Sequence, residues 1–98
     1  MICHPEVEKN VRVSITTELV KTGAGEISSL TLYGGTASTG NTVKIIDGLT
    51  TAGTNIWYLS APQYGSSSIS FVKPIKVSTG IFVHFDSGTA TKLSIAYI

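Results

Sequence analysis

Short stretches in which apolar and polar residues alternate run along most of this chain. In VRVSIT, residues 11–16, the apolar Val11, Val13 and Ile15 face one way and the polar residues between them face the other. A period of two is typical of a β-strand, and GIFVHFD, residues 80–86, has the same period. Segments rich in glycine, serine and threonine, such as GGTASTGN, separate these stretches and favour turns. The pattern therefore predicts strands joined by loops, without a helical segment.

This alternation predicts seven or eight short strands at spacings of about 8–15 residues. The apolar residues that it groups on one face of their strands are Leu30, Leu32, Val43, Ile45, Ile69, Phe71, Ile81, Val83, Phe85, Leu93, Ile95 and Tyr97. Strands without crossover helices pair antiparallel, so the predicted fold class is all-β, an antiparallel β-sandwich of jelly-roll type. Residues 1–10 lack the alternation and are predicted to be an N-terminal arm, followed by one sandwich domain over residues 11–98.

The composition agrees with a sheet protein and adds a feature of its surface. Charged residues make up 13% of the chain, against about 25% in an ordinary domain. Serine and threonine, 12 and 13 residues respectively, fill much of the difference. Threonine favours pleated surfaces because its branched Cβ packs well there. The exterior is therefore expected to be rich in hydroxyl groups and weakly charged, which is common where a surface faces other protein subunits.

Charge and hydropathy argue against several classes of protein. The net charge is +1 and the seven cationic residues are spread along the chain, so the basic patch of a nucleic-acid binder is absent. No apolar stretch approaches the ~20 residues of a membrane-spanning helix, and MICHPEVEKN is not a secretion signal. The single cysteine, Cys3, excludes an intrachain disulfide, so folding in a reducing cytoplasm is expected to be unproblematic.

Asp47 and Pro74 are interpreted as structural residues. Asp47 ends an apolar run and precedes Gly48, a pair that we expect to form a turn, with the carboxylate bonding its own backbone and glycine taking a positive φ. The segment DSG, residues 86–88, is a second example. Pro74 cannot donate to a sheet ladder, so it is predicted to lie at an edge, a bulge or a strand start.

Catalytic and metal-binding patterns are weak in this sequence. The six acidic residues belong to no recognisable motif, and most of them are expected to be solvated. Cys3 and His4 are adjacent, a poor geometry for one metal, and only one other histidine is present. We therefore predict no catalytic residue, no metal and no cofactor. A two-carboxylate hydrolase remains an alternative, and it would require two acids within about 5–9 Å.

Aromatic residues supply the candidates for a contact surface. Trp57 and Tyr58 are neighbours on one strand, so one of them must point away from the core. Interfaces are enriched in tryptophan and tyrosine, and the interface candidates are Trp57, Tyr64, Phe82 and His84. The alternative is a sugar-binding face lined by Trp57, Tyr58, Tyr64 and Phe82.

A family resemblance covers residues 30–98, about seven-tenths of the chain. This span contains TLYGG, a glycine/serine/threonine loop, TVKIIDG, AGTNIWYL and FVKPIKVSTGIFVHFDSGTAT, and it closes with an apolar strand that contains Tyr97. Its most telling pieces are KPIKVSTGIFV, residues 73–83, and the pair Asp47-Gly48. In these pieces the chain resembles a group of short proteins encoded among bacteriophage structural genes.

The resemblance implies a non-enzymatic component of the virion. It favours a capsid decoration (cement) protein that is made in the host cytoplasm and stabilises the head from the capsid surface. The implied partners are the phage major capsid protein or other virion subunits, and the implied assembly is a homo-oligomer, with a trimer favoured. Residues 1–10 are then expected to reach a neighbouring subunit and to order on binding. The alternative is a receptor- or glycan-binding module of a phage fibre or tail.

Overall fold

The protein folds as eight β-strands. A computed structural model describes residues 10–36, 40–87 and 91–98, and those ranges contain no helix. The strands are β1 (Asn10–Ser14), β2 (Glu18–Thr22), β3 (Gly25–Tyr33), β4 (Asn41–Asp47), β5 (Thr54–Ala61), β6 (Ser66–Val77), β7 (Gly80–Ser87) and β8 (Lys92–Tyr97). The predicted all-β class is therefore confirmed. The predicted N-terminal arm lies outside the described residues except for Asn10, which begins β1.

The strands form two four-stranded antiparallel sheets. Sheet A has the order β1-β8-β3-β6 and sheet B the order β2-β7-β4-β5. The edges of sheet A are therefore β1 and β6, and the edges of sheet B are β2 and β5. Every pairing between neighbouring strands is antiparallel, as the absence of crossover helices predicted.

Both sheets contribute side chains to a single buried cluster, as in a β-sandwich. Its members are Ile27, Leu30, Leu32, Val43, Ile45, Leu59, Ala61, Val77, Ile81, Val83, Leu93 and Ile95. Most of them are residues that the sequence alternation placed together. Removing these aliphatic surfaces from water is the main favourable contribution to folding.

Two strands differ from the sequence prediction. β2 was not predicted, because the pairing register shifts between Leu19 and Lys21 and this irregularity breaks the alternation. The stretches SISFV and VKPIKV, by contrast, belong to one strand, β6, which contains Pro74. β6 is a sheet edge, and its pairing with β3 shifts register. Pro74 therefore lies on an edge strand that carries an irregularity, as predicted.

In β1 the polar residues face the core and the apolar residues face outward. Arg12 pairs with Ile95 and Ser14 with Leu93, and both of these partners are fully buried. Paired residues in an antiparallel ladder lie on the same face, so the polar residues of β1 are on the core side. Val11 and Val13, which alternate with them, face away from the core.

Candidate functional site

The first candidate contact surface is the outer side of β1. Val11, Val13 and Ile15, which follows the strand directly, are 68%, 57% and 70% exposed. In the ladder, Val11 is opposite Ala96 and Val13 is opposite Ser94, so only small side chains lie beside the two valines on β8. We call strand β1 together with these three apolar residues the β1 edge.

The polar side of β1 is tied to the other sheet. The Arg12 guanidinium donates from Nε to Oε1 of Glu18 and from Nη2 to Oε2, both at 2.8 Å. The Ser14 hydroxyl donates to Oε1 of the same carboxylate at 2.5 Å. The hydrogen bonds from Arg12 and Ser14 lower the pKa of Glu18 to about 2, and the bond to Glu18 raises the pKa of Arg12. The one cation of β1 is thus neutralised within the chain.

The middle of the outer face of sheet A carries short, mostly hydroxyl-bearing side chains. Two rows cross the sheet, with Val11, Ala96, Ser29 and Ser70 in the first and Val13, Ser94, Thr31 and Ser68 in the second. Such side chains leave a low-relief surface with many hydrogen-bonding groups and no charge in these rows. This arrangement fits the exterior that the composition led us to expect.

The outer face of sheet B has a different character. Lys44 is opposite His84 on one side and Tyr58 on the other. Asp86 lies nearby, with its Oδ1 3.7 Å from Lys44 Nζ and 3.8 Å from His84 Nε2. These separations are longer than a hydrogen bond, so the group is a loose and partly solvated charge cluster.

A shallow groove of about 440 Å³ lies along β5. It is lined by Lys44, Asn55, Ile56, Trp57 and Tyr58, which we call the β5 groove. The groove lies where the β4–β5 register shifts between Ile45 and Ile46. It combines aromatic rings with an amide and an ammonium group, which can stack on an apolar ring face and hydrogen-bond to hydroxyl groups.

The structure distributes the four predicted interface candidates over different places. Trp57 packs with the core cluster, and its ring meets Phe71 edge-on with centroids 5.0 Å apart and an interplanar angle of 85°. Tyr64 is 76% exposed between β5 and β6, with φ of 58°, and its N–H donates to the Gly35 carbonyl. Phe82 and His84 are together on β7, and both are half-buried.

The three apolar residues of the β1 edge were missed from the sequence, whereas Tyr58 was named for a sugar-binding face but not as an interface candidate. Tyr58 is 55% exposed, and the opposite orientation of neighbouring strand residues required either it or Trp57 to point outward. For β1, alternation identified the apolar face but could not show that this face is turned outward. Arg12 and Ser14 are polar, so their sequence offered no reason to place them on the core side. Their partner there is Glu18, which lies on another strand.

Asp47 ends its strand as predicted, but through a different contact. Its carboxylate accepts hydrogen bonds from the backbone N–H groups of Ser78, Thr79 and Gly80, at distances from 2.9 to 3.3 Å. These bonds, the one from Thr79 foremost, lower the pKa of Asp47. The expectation of a local bond and a positive φ at Gly48 is wrong, since the positive-φ glycines of the described residues are Gly23 and Gly40.

Within the described part of the chain, no group of three or more histidine, cysteine, aspartate or glutamate residues could hold a metal ion. Cys3 and His4 lie outside that part, as does part of the segment 86–88. The described residues also contain no helix that is long and apolar enough to cross a membrane.

Comparison with protein-family models, curated proteins and solved structures finds no match to this chain. A proposal for its function therefore rests on its own sequence and surfaces.

Proposed function

We propose that this chain is a non-enzymatic structural protein of a bacteriophage particle, most specifically a capsid decoration protein that stabilises the head. The observation that carries the proposal is the β1 edge, where Val11, Val13 and Ile15 are all more than half exposed on one uncharged strip. Clustered exposed apolar residues mark surfaces that contact other proteins. The phage role itself comes from the resemblance of residues 30–98.

We further propose that the sandwich is a jelly roll. β1 pairs with β8, β2 with β7, β3 with β6 and β4 with β5. The first half of the chain thus pairs with the second half in reverse order, like one long hairpin, and the pairs β3–β8 and β4–β7 fold that hairpin into two sheets. Jelly rolls occur in viral capsid proteins and in lectins, so the winding supports a virion role by analogy alone.

Two of the six carboxylates, Glu18 and Asp47, have a structural role in the fold. Glu18 and Asp47 both have a lowered pKa, because each accepts several hydrogen bonds from its own chain. A general acid or base works best with a pKa near the operating pH. Carboxylates held ionised in this way connect strands and turns, and they are poorly suited to proton transfer.

The two outer faces suggest how such a protein would meet its neighbours. The small hydroxyl side chains of sheet A would lie close against a capsid subunit, with the β1 edge as the apolar part of the contact. The major capsid protein or another virion subunit is the proposed partner, and the capsid surface is the proposed location.

Cosedimentation with phage heads tests this proposal. Purified full-length chain is added to heads that are assembled from the major capsid protein of the same phage, and the bound copies are counted by quantitative mass spectrometry. We expect saturable binding at a copy number comparable with that of the capsid subunits, and a higher melting temperature of the heads. Absence of binding, or only a few copies per particle, would contradict the decoration role.

The β5 groove favours a second candidate function, a glycan-binding module of a fibre or tail. Tyr58 exposes more than half of its surface beside Asn55 and Lys44, and this combination suits stacking against a sugar ring. A glycan array compares the protein with Tyr58→Ala, and Tyr33→Ala is the control because Tyr33 is 48% exposed on the other sheet. Loss of a glycan signal in Tyr58→Ala alone would support this candidate, and the absence of any signal would remove it.

A further inference from the structure

We infer that the β1 edge is a self-association surface, on which β1 of a second copy pairs antiparallel and joins two A sheets into one continuous eight-stranded sheet. The assembly is a dimer with two-fold symmetry. The pairing uses the backbone edge of β1 and leaves Val11 and Val13 on the outer face of the joined sheet, so it does not compete with the proposed capsid contact. It concerns the free protein and can be tested without any virion component.

The four sheet edges differ in regularity. Register shifts interrupt the pairing of β2 with β7, of β5 with β4 and of β6 with β3. β1 alone among these edges keeps an unbroken register, from Asn10 opposite Tyr97 to Ser14 opposite Leu93. Bulges twist an edge and prevent another strand from adding to it. Among these four edge strands, β1 therefore has the backbone geometry that best allows a further strand to pair with it.

Charge distinguishes the same edge. β6 carries Lys73, Pro74 and Lys76, and β2 carries Lys21, and lysine and proline are residues that block edge pairing. β5 has no charged residue, but its register is interrupted and the β5 groove lies along it. In β1 the only charged residue is Arg12, and Glu18 of the same chain already neutralises it.

One antiparallel register satisfies both faces of β1. With Val13 opposite Val13 of the second copy, Val11 lies opposite Ile15, the residue that directly follows the strand, so apolar side chains meet on the outer side. On the core side Arg12 then lies opposite Ser14, whose hydroxyl is bonded to Glu18, so cation and carboxylate from the two copies approach each other. Centring the pair on Arg12 would instead place two guanidinium groups opposite each other, and like charges directly opposite are destabilising.

This contact predicts a different assembly from the one that the family resemblance implies. An interface that pairs a strand with itself is isologous and closes at two subunits. A trimer requires contacts between unlike surfaces, which β1 pairing with itself does not supply. The stoichiometry therefore separates the two expectations.

Sedimentation velocity over a concentration series tests the dimer. The full-length chain is compared with Val13→Lys, which places two lysines opposite each other at the symmetry axis, and with Val72→Lys on β6 as the control at a valine that is even more exposed. We expect a monomer–dimer equilibrium that Val13→Lys weakens at least tenfold and Val72→Lys leaves unchanged, with the same circular dichroism spectrum in all three proteins. A wild-type chain that is monomeric or trimeric, or a Val13→Lys chain that dimerises like the wild type, would overturn the inference.

Disulfide trapping tests the register in a Cys3→Ser background. Residue 13 faces its own copy in the proposed pairing, and opposite residues of an antiparallel ladder have Cα atoms about 4.5–5.5 Å apart, within the range that a disulfide bridges. Val13→Cys should therefore form a covalent dimer under mild oxidation, whereas Val11→Cys, on the same face, should do so only when mixed with Ile15→Cys. Equal self-crosslinking of Val11→Cys and Val13→Cys would contradict this register.

Discussion

β1 and β6 are the two edge strands of sheet A, yet they differ in length, in composition and in the regularity of their pairing. β6 is twelve residues long, contains Pro74 and shifts register against β3. β1 is five residues long, keeps its register against β8 and shows two valines to solvent. Both edges expose aliphatic side chains, since Val72 on β6 is fully exposed. Exposure of apolar surface is therefore not what separates them.

The difference is whether a further strand could add to the edge. Lysine, proline and a bulge on β6 are the devices by which sheet proteins prevent edge-to-edge pairing. β1 lacks all three, and the charge of Arg12 is turned towards Glu18 on the other sheet. An exposed valine therefore indicates an interface only when its strand pairs in a regular register and the charged residues of that strand are already neutralised.

Polar anchors hold each side of sheet A to sheet B. The Arg12–Glu18 pair joins β1 to β2. Asp47 at the end of β4 binds the backbone of residues 78–79, directly after β6, and of Gly80, which begins β7. The first anchor uses two side chains, whereas the second uses one carboxylate and backbone donors. Variants of the core, of the two anchors and of the two exposed valines therefore test separate parts of the comparison.

Truncation of a buried side chain in the centre of sheet A should have the largest effect on stability. Ile95 on β8 is fully buried between β1 and β3, so Ile95→Ala removes three carbons and leaves a cavity. We expect a loss of about 2–5 kcal/mol in the free energy of unfolding, as in other buried isoleucine truncations. Urea denaturation measures it, and Val72→Ala at a fully exposed position should change the same quantity by less than about 0.5 kcal/mol. Similar losses in both variants would show that sheet A is not packed as described.

Asp47→Asn should have the next largest effect. The amide keeps one acceptor oxygen but places a donor against backbone N–H groups that now point at a carboxylate. We expect a fall of several degrees in the melting temperature, together with faster hydrogen exchange at Thr79 and Gly80. Asp86→Asn is the control, because its contacts to Lys44 and His84 are both longer than 3.5 Å. Equal effects of the two variants would argue against the turn-anchoring role of Asp47.

Glu18→Gln tests the anchor of the β1 edge and its dependence on pH. The pKa of Glu18 is lowered to about 2 from the usual 4.5, so the ionised carboxylate stabilises the fold above about pH 4.5. That contribution is lost as the pH falls from about 4.5 towards about 2. At pH 7 we expect Glu18→Gln to cost about 1 kcal/mol, since solvent screens this partly exposed pair.

Urea denaturation at pH 7 and at pH 2.5 separates this contribution from general acid destabilisation. The difference between wild type and Glu18→Gln should shrink at the lower pH, because at pH 2.5 the unfolded chain binds a proton at Glu18 whereas the folded chain, with its lowered pKa, still keeps the carboxylate mostly ionised. A difference that stays constant or grows on acidification would show that the Arg12–Glu18 pair does not supply it.

Much of the fold could be predicted from the sequence, because alternation is a local signal. Val43, Ile45, Leu93 and Ile95 are buried as that signal indicated. β2 was missed because its irregular register interrupts the period of two.

The contact surfaces were harder to predict because they depend on contacts between distant segments. Asp47 bonds to residues more than thirty positions away, and no local sequence pattern indicates this contact. The outward orientation of the β1 valines also has no local sequence signal. Tyr58 was named for a possible sugar-binding face, but its neighbour Trp57 was chosen as the interface candidate.

The smallest expected effect is the most specific test of the comparison. Val13→Thr and Val72→Thr replace one methyl group by a hydroxyl at exposed strand positions and keep the branched Cβ that strands favour. In dilute solution both should alter the free energy of unfolding by less than about 0.5 kcal/mol. At concentrations where the dimer forms, Val13→Thr should lower the melting temperature relative to wild type, since a dimer that dissociates before unfolding stabilises the native state by mass action. Val72→Thr should show no such concentration dependence relative to wild type, and an equal response of the two variants would mean that β1 and β6 do not differ as edges.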